Sequence, residues 1–275
     1  MMEQLGLIGY PIKHSLSPWI HTKFLENTNF KGSYSIFEAR EDDLLHLVQT
    51  MKDKGVRGFN VTIPFKQKII PMLDELDPTA MKIGAVNTVL NHDGRLIGYN
   101  TDGIGFLRSL EISHPEVVDN KKIKILLVGA GGAARGIYYA LKQAGYLSIN
   151  ITNRTIEKAE LIVGRDKSAC ISLKDAERNL QEYDLIIQTT NVGMRPNEEN
   201  SPLYLHNLKS TAIVSDIVYQ PIWTKFLKEA EAKGAKVHHG YLMLLYQAQF
   251  AFEIWFGIVP PLNEMDKQLK QLLEG

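Results

Sequence analysis

The stretch "KILLVGAGGAARG", Lys124 to Gly136, sets the class of the fold. Its apolar run Ile125–Val128 reads as a fully buried strand, and a helical pattern follows the glycines at once. The spacing Gly129-x-Gly131-x-x-Ala134 fits the dinucleotide fingerprint in the strand–turn–helix setting it requires. Gly129 permits the tight turn, Gly131 lets backbone approach a pyrophosphate, and Ala134 allows close helix–strand packing. Gly132, Ala130 and Ala133 complete a loop whose N–H groups suit an anion. Glycine-rich turns also arise from packing alone, so the end of the next strand carries weight. An NAD site would place Asp or Glu there. This chain has "ITNRTIEKAE", with Asn153, Arg154 and Thr155. An acid would repel a 2′-phosphate, whereas Arg154 can pair with it and stack on adenine. Thr155 and Lys158 add a hydroxyl and a second cation. The expected cofactor is NADP.

Outward from this loop, "SINITN", "YDLIIQTT", "AIVSDIV" and "KVHHG" read as the later strands of one α/β series. Upstream lies a separate series. "QLGLIG" is a buried strand, "SYSIFE" a second and "RGFNVT" a third, with "DDLLHLVQTMKDKG" as a helix facing Leu44, Leu45, Val48 and Met51 inward. "PFKQKII" is expected to open a helix at Pro64. "NHDG" between "AVNTVL" and "RLIGYN" reads as a hairpin turn, and "DGIGFLRSL" as a helix. The polar run "EISHPEVVDNKK" interrupts the pattern, and a domain boundary belongs near it. The expected fold is therefore α/β with two domains, and a mostly parallel sheet in the first. After Tyr241 come two helical segments separated by Pro260 and Pro261. The first is so apolar that it must pack against a large surface.

The chain has 275 residues, 44% of them apolar, and 31 basic residues balance 31 acidic ones. There is no bulk pull toward nucleic acid or acidic membranes, so an anionic ligand must be held by local geometry. A single cysteine, Cys170, rules out an internal disulfide and a cysteine-based zinc site. His14, His21, His238 and His239 lack the companions of a ligand set and read as surface or packing residues, so no metal is expected. Trp19, Trp223, Trp255 and Cys170 read as packing residues. The opening "MMEQLGLIGY" lacks the basic region of a secretory leader, and no apolar run is long enough to span a membrane. A cytoplasmic protein is the expectation.

Chemistry-bearing residues gather in the first half. In "GYPIKHSLSPWIH" Ser15 and Ser17 precede a helical pattern. Ser17 can be an N-cap followed by Pro18, or both hydroxyls can face an anion at the helix start. In "GFNVTIPFK" Asn60 and Thr62 share a strand face, either as the wet side of an edge strand or as ligand contacts, with Lys66 just beyond. Asn87 and Thr88 lie in "GAVNT". Asn100, Thr101 and Asp102 lie in "YNTDG", where Asp102 suits an N-cap as well as chemistry.

Seven segments occur in order: "GYPIKHSLSP", "GFNVTIPFK", "IGAVNT", "GYNTDGIGF", "GAGGAARG", "TNRT" and "GYLMLLYQA". Together they resemble the signature blocks of the shikimate dehydrogenases over essentially the whole chain. That resemblance implies a substrate-binding domain of residues 1–104 plus 240–275, the C-terminal helices returning to it, and a Rossmann-type NADP domain of residues 105–239. It implies that Ser15 and Ser17 hold a shikimate carboxylate. Thr62, Asn87, Asp102 and Gln247 would meet ring hydroxyls, with Asn60 and Tyr219 nearby. Lys66 would be the acid/base, working beside Asp102. It further implies that Thr189, Ile217, Gly240 and Met243 line the cofactor, with substrate and cofactor in a cleft between domains. The implied partners are shikimate and 3-dehydroshikimate, with no nucleic acid and no membrane, for a monomer or homodimer. Pro78 departs from relatives that carry an acid there, without touching the proton transfer. Two alternatives stand beside this reading: a quinate/shikimate dehydrogenase with broader substrate or cofactor use, and a non-catalytic NADP-binding sensor of the same fold.

Overall fold

The computed structural model describes residues 2–274. The chain forms two compact units, Met1–Gly105 with Leu245–Met265, and Phe106–Leu244 with Asp266–Gly275.

Unit 1 holds strands β1 (Glu3–Gly9), β2 (Gly32–Glu38), β3 (Gly58–Val61), β4 (Glu75–Leu76), β5 (Thr88–His92) and β6 (Arg95–Tyr99). Helices α1 (Ser17–Thr28), α2 (Leu44–Asp53) and α3 (Pro78–Ile83) connect them. The sheet order is β2-β1-β3-β5-β6-β4. β1, β2 and β3 are parallel, as the strand–helix alternation requires, but β5 runs antiparallel to both β3 and β6. The reason is the "NHDG" turn. Asp93 and Gly94 take φ of 50° and 81°, the pair of positive values that a two-residue hairpin turn demands. Ile8, Val48, Phe59, Phe65 and Val89 pack in its core.

In unit 1 one local expectation fails and, at two further positions, one of two alternatives falls away, each for a physical reason. No α-helix opens at Pro64; residues 63–69 are turns followed by a short 3-10 segment, Ile70–Met72. The Lys66 carbonyl accepts from Val86 N–H at 2.7 Å instead of serving a helix. β3 is not an edge strand but lies between β1 and β5, so Asn60 is buried on it. Ser17 does not cap α1. It is the first helical residue, and Ser15 Oγ accepts its N–H at 3.2 Å.

Unit 2 holds β7 (Ile125–Val128), β8 (Ile149–Thr152), β9 (Cys170–Ile171), β10 (Leu185–Gln188), β11 (Ile213–Asp216) and β12 (Lys236–His239). Its helices are α4 (Asp102–Ser113), most of which lies here, α5 (Pro115–Val118), α6 (Gly132–Gln143), α7 (Ile156–Val163), α8 (Leu173–Arg178) and α9 (Lys225–Ala232). All pairings are parallel, in the order β12-β11-β10-β7-β8-β9. Counted from β7, that is the doubly wound order of dinucleotide-binding folds, with the switch point between β7 and β10. Among the histidines, His238 is buried against Ser215 and Phe106, while Cys170 and Trp223 are half-buried against the cores.

Helix α10 (Gly240–Phe256) starts in unit 2, where Met243 joins the core of β7 and α6, and from Leu245 it belongs to unit 1. Of the C-terminal helices, Leu245–Met265 lies in unit 1 and α11 (Met265–Glu274) from Asp266 onward in unit 2. None of these helices is long and apolar enough to cross a membrane, among the described residues.

Trp255 locks α10 onto the first sheet. Its Nε1 donates to Val89 O at 2.9 Å, and a Cβ built on Gly58 would fall inside the contact distance of the indole. Gly58→Ala should therefore cost about 1–3 kcal/mol through overpacking. Urea unfolding will show this as a lowered midpoint with an unchanged slope; an unaltered midpoint would mean that the indole has room to move.

Candidate active site

In unit 1 the Lys66 ammonium donates to Asp102 Oδ2 at 2.6 Å, and the Asp102 side chain is only 5% exposed. A carboxylate so far removed from water needs its other oxygen satisfied as well. Asn87 does this, its Nδ2 reaching Asp102 Oδ1 at 3.0 Å. The same amide nitrogen lies 3.2 Å from Gln247 Oε1 and 2.9 Å from Thr101 Oγ1. The orientation of the Asn87 amide is set by backbone: Thr101 N–H donates to Asn87 Oδ1 at 2.8 Å, so Nδ2 must face the carboxylate. Asp102 therefore does not cap its own helix. Asn100 takes that task, its Oδ1 accepting Asp102 N–H at 3.1 Å while its Nδ2 donates to Ala85 O.

Gln247 reaches this cluster because α4 and α10 approach closely at Gly105. A Cβ on Gly105 would stand 2.6 Å from Gln247 N and 2.7 Å from its Cα, so only glycine permits the approach.

A second buried chain leads toward the serines. Ser15 Oγ donates to Ser17 Oγ at 3.2 Å, and Ser17 lies beside the Tyr34 hydroxyl. Tyr34 donates to Asn60 Oδ1 at 2.8 Å. Asn60 Nδ2 donates to Asn87 O and to Thr88 Oγ1, and Thr88 Oγ1 returns a bond to Asn87 Oδ1. Burial pushes the Tyr34 phenol well above its ordinary value, so it remains a donor. His21 stacks on Tyr34 with ring centroids 4.5 Å apart, and burial lowers its pKa to about 3, leaving it neutral. Thr62 follows β3 directly, its N–H on Ile8 O at 2.9 Å and its methyl packed against Gly9.

The structure thus brings together Lys66, Asp102, Asn87 and Gln247, and joins Ser15, Ser17 and Asn60 to them through Tyr34 and Thr88. Tyr34 escaped sequence reasoning, since a tyrosine in an apolar strand signals only packing. Tyr219 lies in unit 2, just beyond β11. Among the described residues, no group of three or more His, Cys, Asp or Glu is placed to hold a metal ion.

The residues of unit 2 fit a dinucleotide. Gly129 has φ of 115°, and a Cβ on it would collide with Thr189 Oγ1 and Thr190 Cγ2. Gly131 precedes α6 with open space where a Cβ would stand, and offers no side chain to cap the opening N–H groups. Gly132, Ala133 and Ala134 form the first turn, after Ala130. At the end of β8, Arg154, Thr155 and Lys158 are exposed, and neither cation has an acidic partner among the described residues. Asn153 Nδ2 closes the turn on Thr155 O at 2.7 Å. Gly240 packs against the Ile217 carbonyl so closely that a Cβ is excluded, which holds the loop after β11 in place. Asp216 anchors the same loop, accepting from Val218 N–H and from Thr224 Oγ1.

Comparison with known proteins places residues 7–89 with the shikimate dehydrogenase substrate-binding domain, 111–200 with shikimate/quinate 5-dehydrogenase and 240–270 with the shikimate 5′-dehydrogenase C-terminal domain. Shikimate dehydrogenase (NADP(+)) of Oceanobacillus iheyensis is 50% identical over 277 residues, with all of both chains covered. The structure of shikimate 5-dehydrogenase from Thermus thermophilus in complex with NADP(H) and shikimate superposes with a TM-score of 0.87 at 35% identity, over 98% of this chain and 99% of that one. Quinate dehydrogenase from Corynebacterium glutamicum in complex with NAD gives 0.87 at 28% identity, over 98% and 99%.

The buried Asp216 has a consequence for pH. Burial raises its pKa from 3.8 to about 7. Between those values the folded chain holds a proton that the unfolded chain has lost, so this group's contribution is full below about pH 4 and disappears as pH rises through 7. His21 and His238, both lowered to about 3 by burial, act in the opposite sense below their unfolded value of 6.5. The Asp216 part must therefore be read as a difference. In urea unfolding from pH 4 to 8, the stability of the wild type relative to Asp216→Asn should fall as pH rises; a constant difference would place the carboxyl's titration outside this window.

Proposed function

The chain belongs to the shikimate dehydrogenase family, and on that premise we propose that it catalyses the reversible NADPH-dependent reduction of 3-dehydroshikimate to shikimate in chorismate and aromatic amino acid biosynthesis. One observation supports the reading: an ammonium and a carboxylate in contact, with an amide oriented to hold the carboxylate, a pair able to give and take back a proton.

NADPH, when bound, supplies the hydride to the carbonyl carbon. The chain's own residues do the rest. Lys66 Nζ gives a proton to the oxygen that becomes the alcohol, and in the reverse direction its neutral amine takes that proton back. Asp102 keeps the ammonium aimed and accepts a hydrogen bond from the substrate hydroxyl. Asn87 and Gln247 present an amide donor and acceptor to the ring, while Thr62 adds a hydroxyl and Asn60 holds the second amide layer. Ser15 and Ser17 meet the substrate carboxylate at the start of α1, where the helix dipole favours negative charge. Tyr219 adds a phenol near the substrate. Holding the ring by several groups from separate segments turns a bimolecular encounter into an aligned one.

Arg154, Thr155 and Lys158 receive the adenosine 2′-phosphate, Asn153 shapes their turn, and the glycine loop receives the diphosphate. Thr189, Ile217, Gly240 and Met243 line the nicotinamide half. An acid at position 154 would suit NAD; arginine suits NADP. The balanced charge of the chain accords with a cytoplasmic enzyme of small molecules, acting as a monomer or homodimer. NAD use is disfavoured by Arg154, broader quinate use by serine at both 15 and 17, and a non-catalytic sensor by the Lys66–Asp102 pair.

NADPH formation followed at 340 nm with shikimate, with quinate, and with NAD in place of NADP tests the assignment directly; inactivity with shikimate would overturn it. Lys66→Ala should lower kcat by about 10²–10⁴-fold, the usual yield of acid–base catalysis, while shikimate still binds. An unchanged kcat would remove Lys66 from proton transfer. Arg154→Asp should weaken NADP far more than NAD, and an equal loss for both would contradict 2′-phosphate recognition.

A further inference from the structure

Arg135 takes no part in the roles assigned above, yet its state is unusual. It is half-buried in the opening turns of α6, four residues after Gly131. Its Nε is closed off from solvent and has no hydrogen-bond partner. No acid accounts for its presence: burial alone perturbs the group, lowering its pKa, and the guanidinium forms no ion pair among the described residues.

Such an arrangement is costly on three counts. At Nε, hydration is given up without a bond in return. No counter-charge offsets the burial. The cation also stands at the positive end of a helix, where the dipole favours anions. Native structures rarely keep a buried polar atom in this state unless something outside the chain completes it.

The position identifies what would complete it. Side chains on a helix lean back over the preceding turn, which for residue 135 is Gly131 and Gly132. Gly131 leaves that surface open, since a Cβ there would meet nothing within 4 Å. Arg154 and Lys158 belong to a different element, the turn after β8, so the two sets of cations serve different parts of one ligand.

We propose that Arg135 is an anion-binding residue of the cofactor site, its partner being the diphosphate common to NADP and NAD. The proposal rests on the reading that the glycine loop holds the dinucleotide. The planar guanidinium, with five donors, suits two adjacent phosphates, and the bond forms without losing any existing partner. An arginine here therefore raises affinity for either nucleotide and leaves the choice between them to Arg154.

The test compares the wild type with Arg135→Met, which keeps the apolar stem and removes the charge. Binding of NADP and of NAD is measured by fluorescence titration, and thermal unfolding is followed without nucleotide. Both affinities should fall by the same factor, about 10- to 100-fold for loss of a charged hydrogen bond. The nucleotide-free variant should unfold no earlier than the wild type, because no internal partner is lost. A purely structural arginine would give the reverse pattern, early unfolding with affinity retained, and that result overturns the proposal. So does a loss confined to NADP, which would assign Arg135 to the 2′-phosphate, or no change for either nucleotide. Arg135→Gln provides the same comparison if the methionine variant does not fold. If the wild type binds neither nucleotide, the cofactor reading itself fails; if it binds both and the variant binds them equally, only Arg135 loses its role.

Discussion

The contact between the Lys66 ammonium and the Asp102 carboxylate is the constraint around which unit 1 is arranged. A charged pair this far from water gains little unless its remaining lone pairs are also met. Asn87 meets them, and Asn87 is itself fixed by a backbone N–H that cannot reorient. The hairpin makes this possible. Its register runs from His92↔Arg95 to Thr88↔Tyr99, so a two-residue turn with equal arms sets Asn87 opposite Asn100 and next to the start of α4. A slip of one residue would send these side chains to the other face and dissolve the cluster. The positive backbone angles at Asp93 and Gly94 thus bear on a carboxylate at the far end of the strands.

A buried line of hydrogen bonds continues from that amide through Thr88, Asn60 and Tyr34 to Ser17. The Thr101 N–H on Asn87 Oδ1 fixes that amide, Tyr34 donates to Asn60 Oδ1, and Asn60 Nδ2 is shared between Asn87 O and Thr88 Oγ1. Such networks are costly when incomplete and rigid when complete. The proposed carboxylate-binding serines and the proposed acid/base therefore stand on one framework, which suits a site that must present a small ring in a single orientation.

Unit 2 applies a different principle. The features proposed to meet the dinucleotide are backbone N–H groups, a glycine loop and cations without acidic partners, at the carboxyl ends of the parallel strands β7 and β8, the first of which borders the point where the strand order reverses. Asp216 and Gly240 hold the loop after β11 by a buried carboxyl and a close backbone approach. Arg154 is an exposed cation without an acidic partner among the described residues, whereas Arg135 holds a buried Nε without a hydrogen-bond partner.

Wherever a feature depended on neighbours along the chain, the sequence was a sound guide. Period-two and period-3.6 patterns placed the strands and most helices, and "NHDG" its turn. The glycine spacing and the missing acid after β8 indicated a dinucleotide with a 2′-phosphate. Local rules misled where a different residue took the expected hydrogen bond or where pairing with another strand covered a face. Ser17 and Asp102 looked like helix caps, yet Ser15 and Asn100 accept their N–H groups. Pro64 looked like a helix start, yet Val86 claims the Lys66 carbonyl. Asn60 looked solvent-facing, yet β5 covers its strand. What the sequence alone determined is the class of fold and the cofactor chemistry, and it marked out the polar residues proposed to meet a ligand, because each is written in short-range spacing. Only the tertiary structure decided which of those residues touch, which way the Asn87 amide faces and that Arg135 is buried without a partner, because hydrogen-bond direction and desolvation depend on groups that meet through folding.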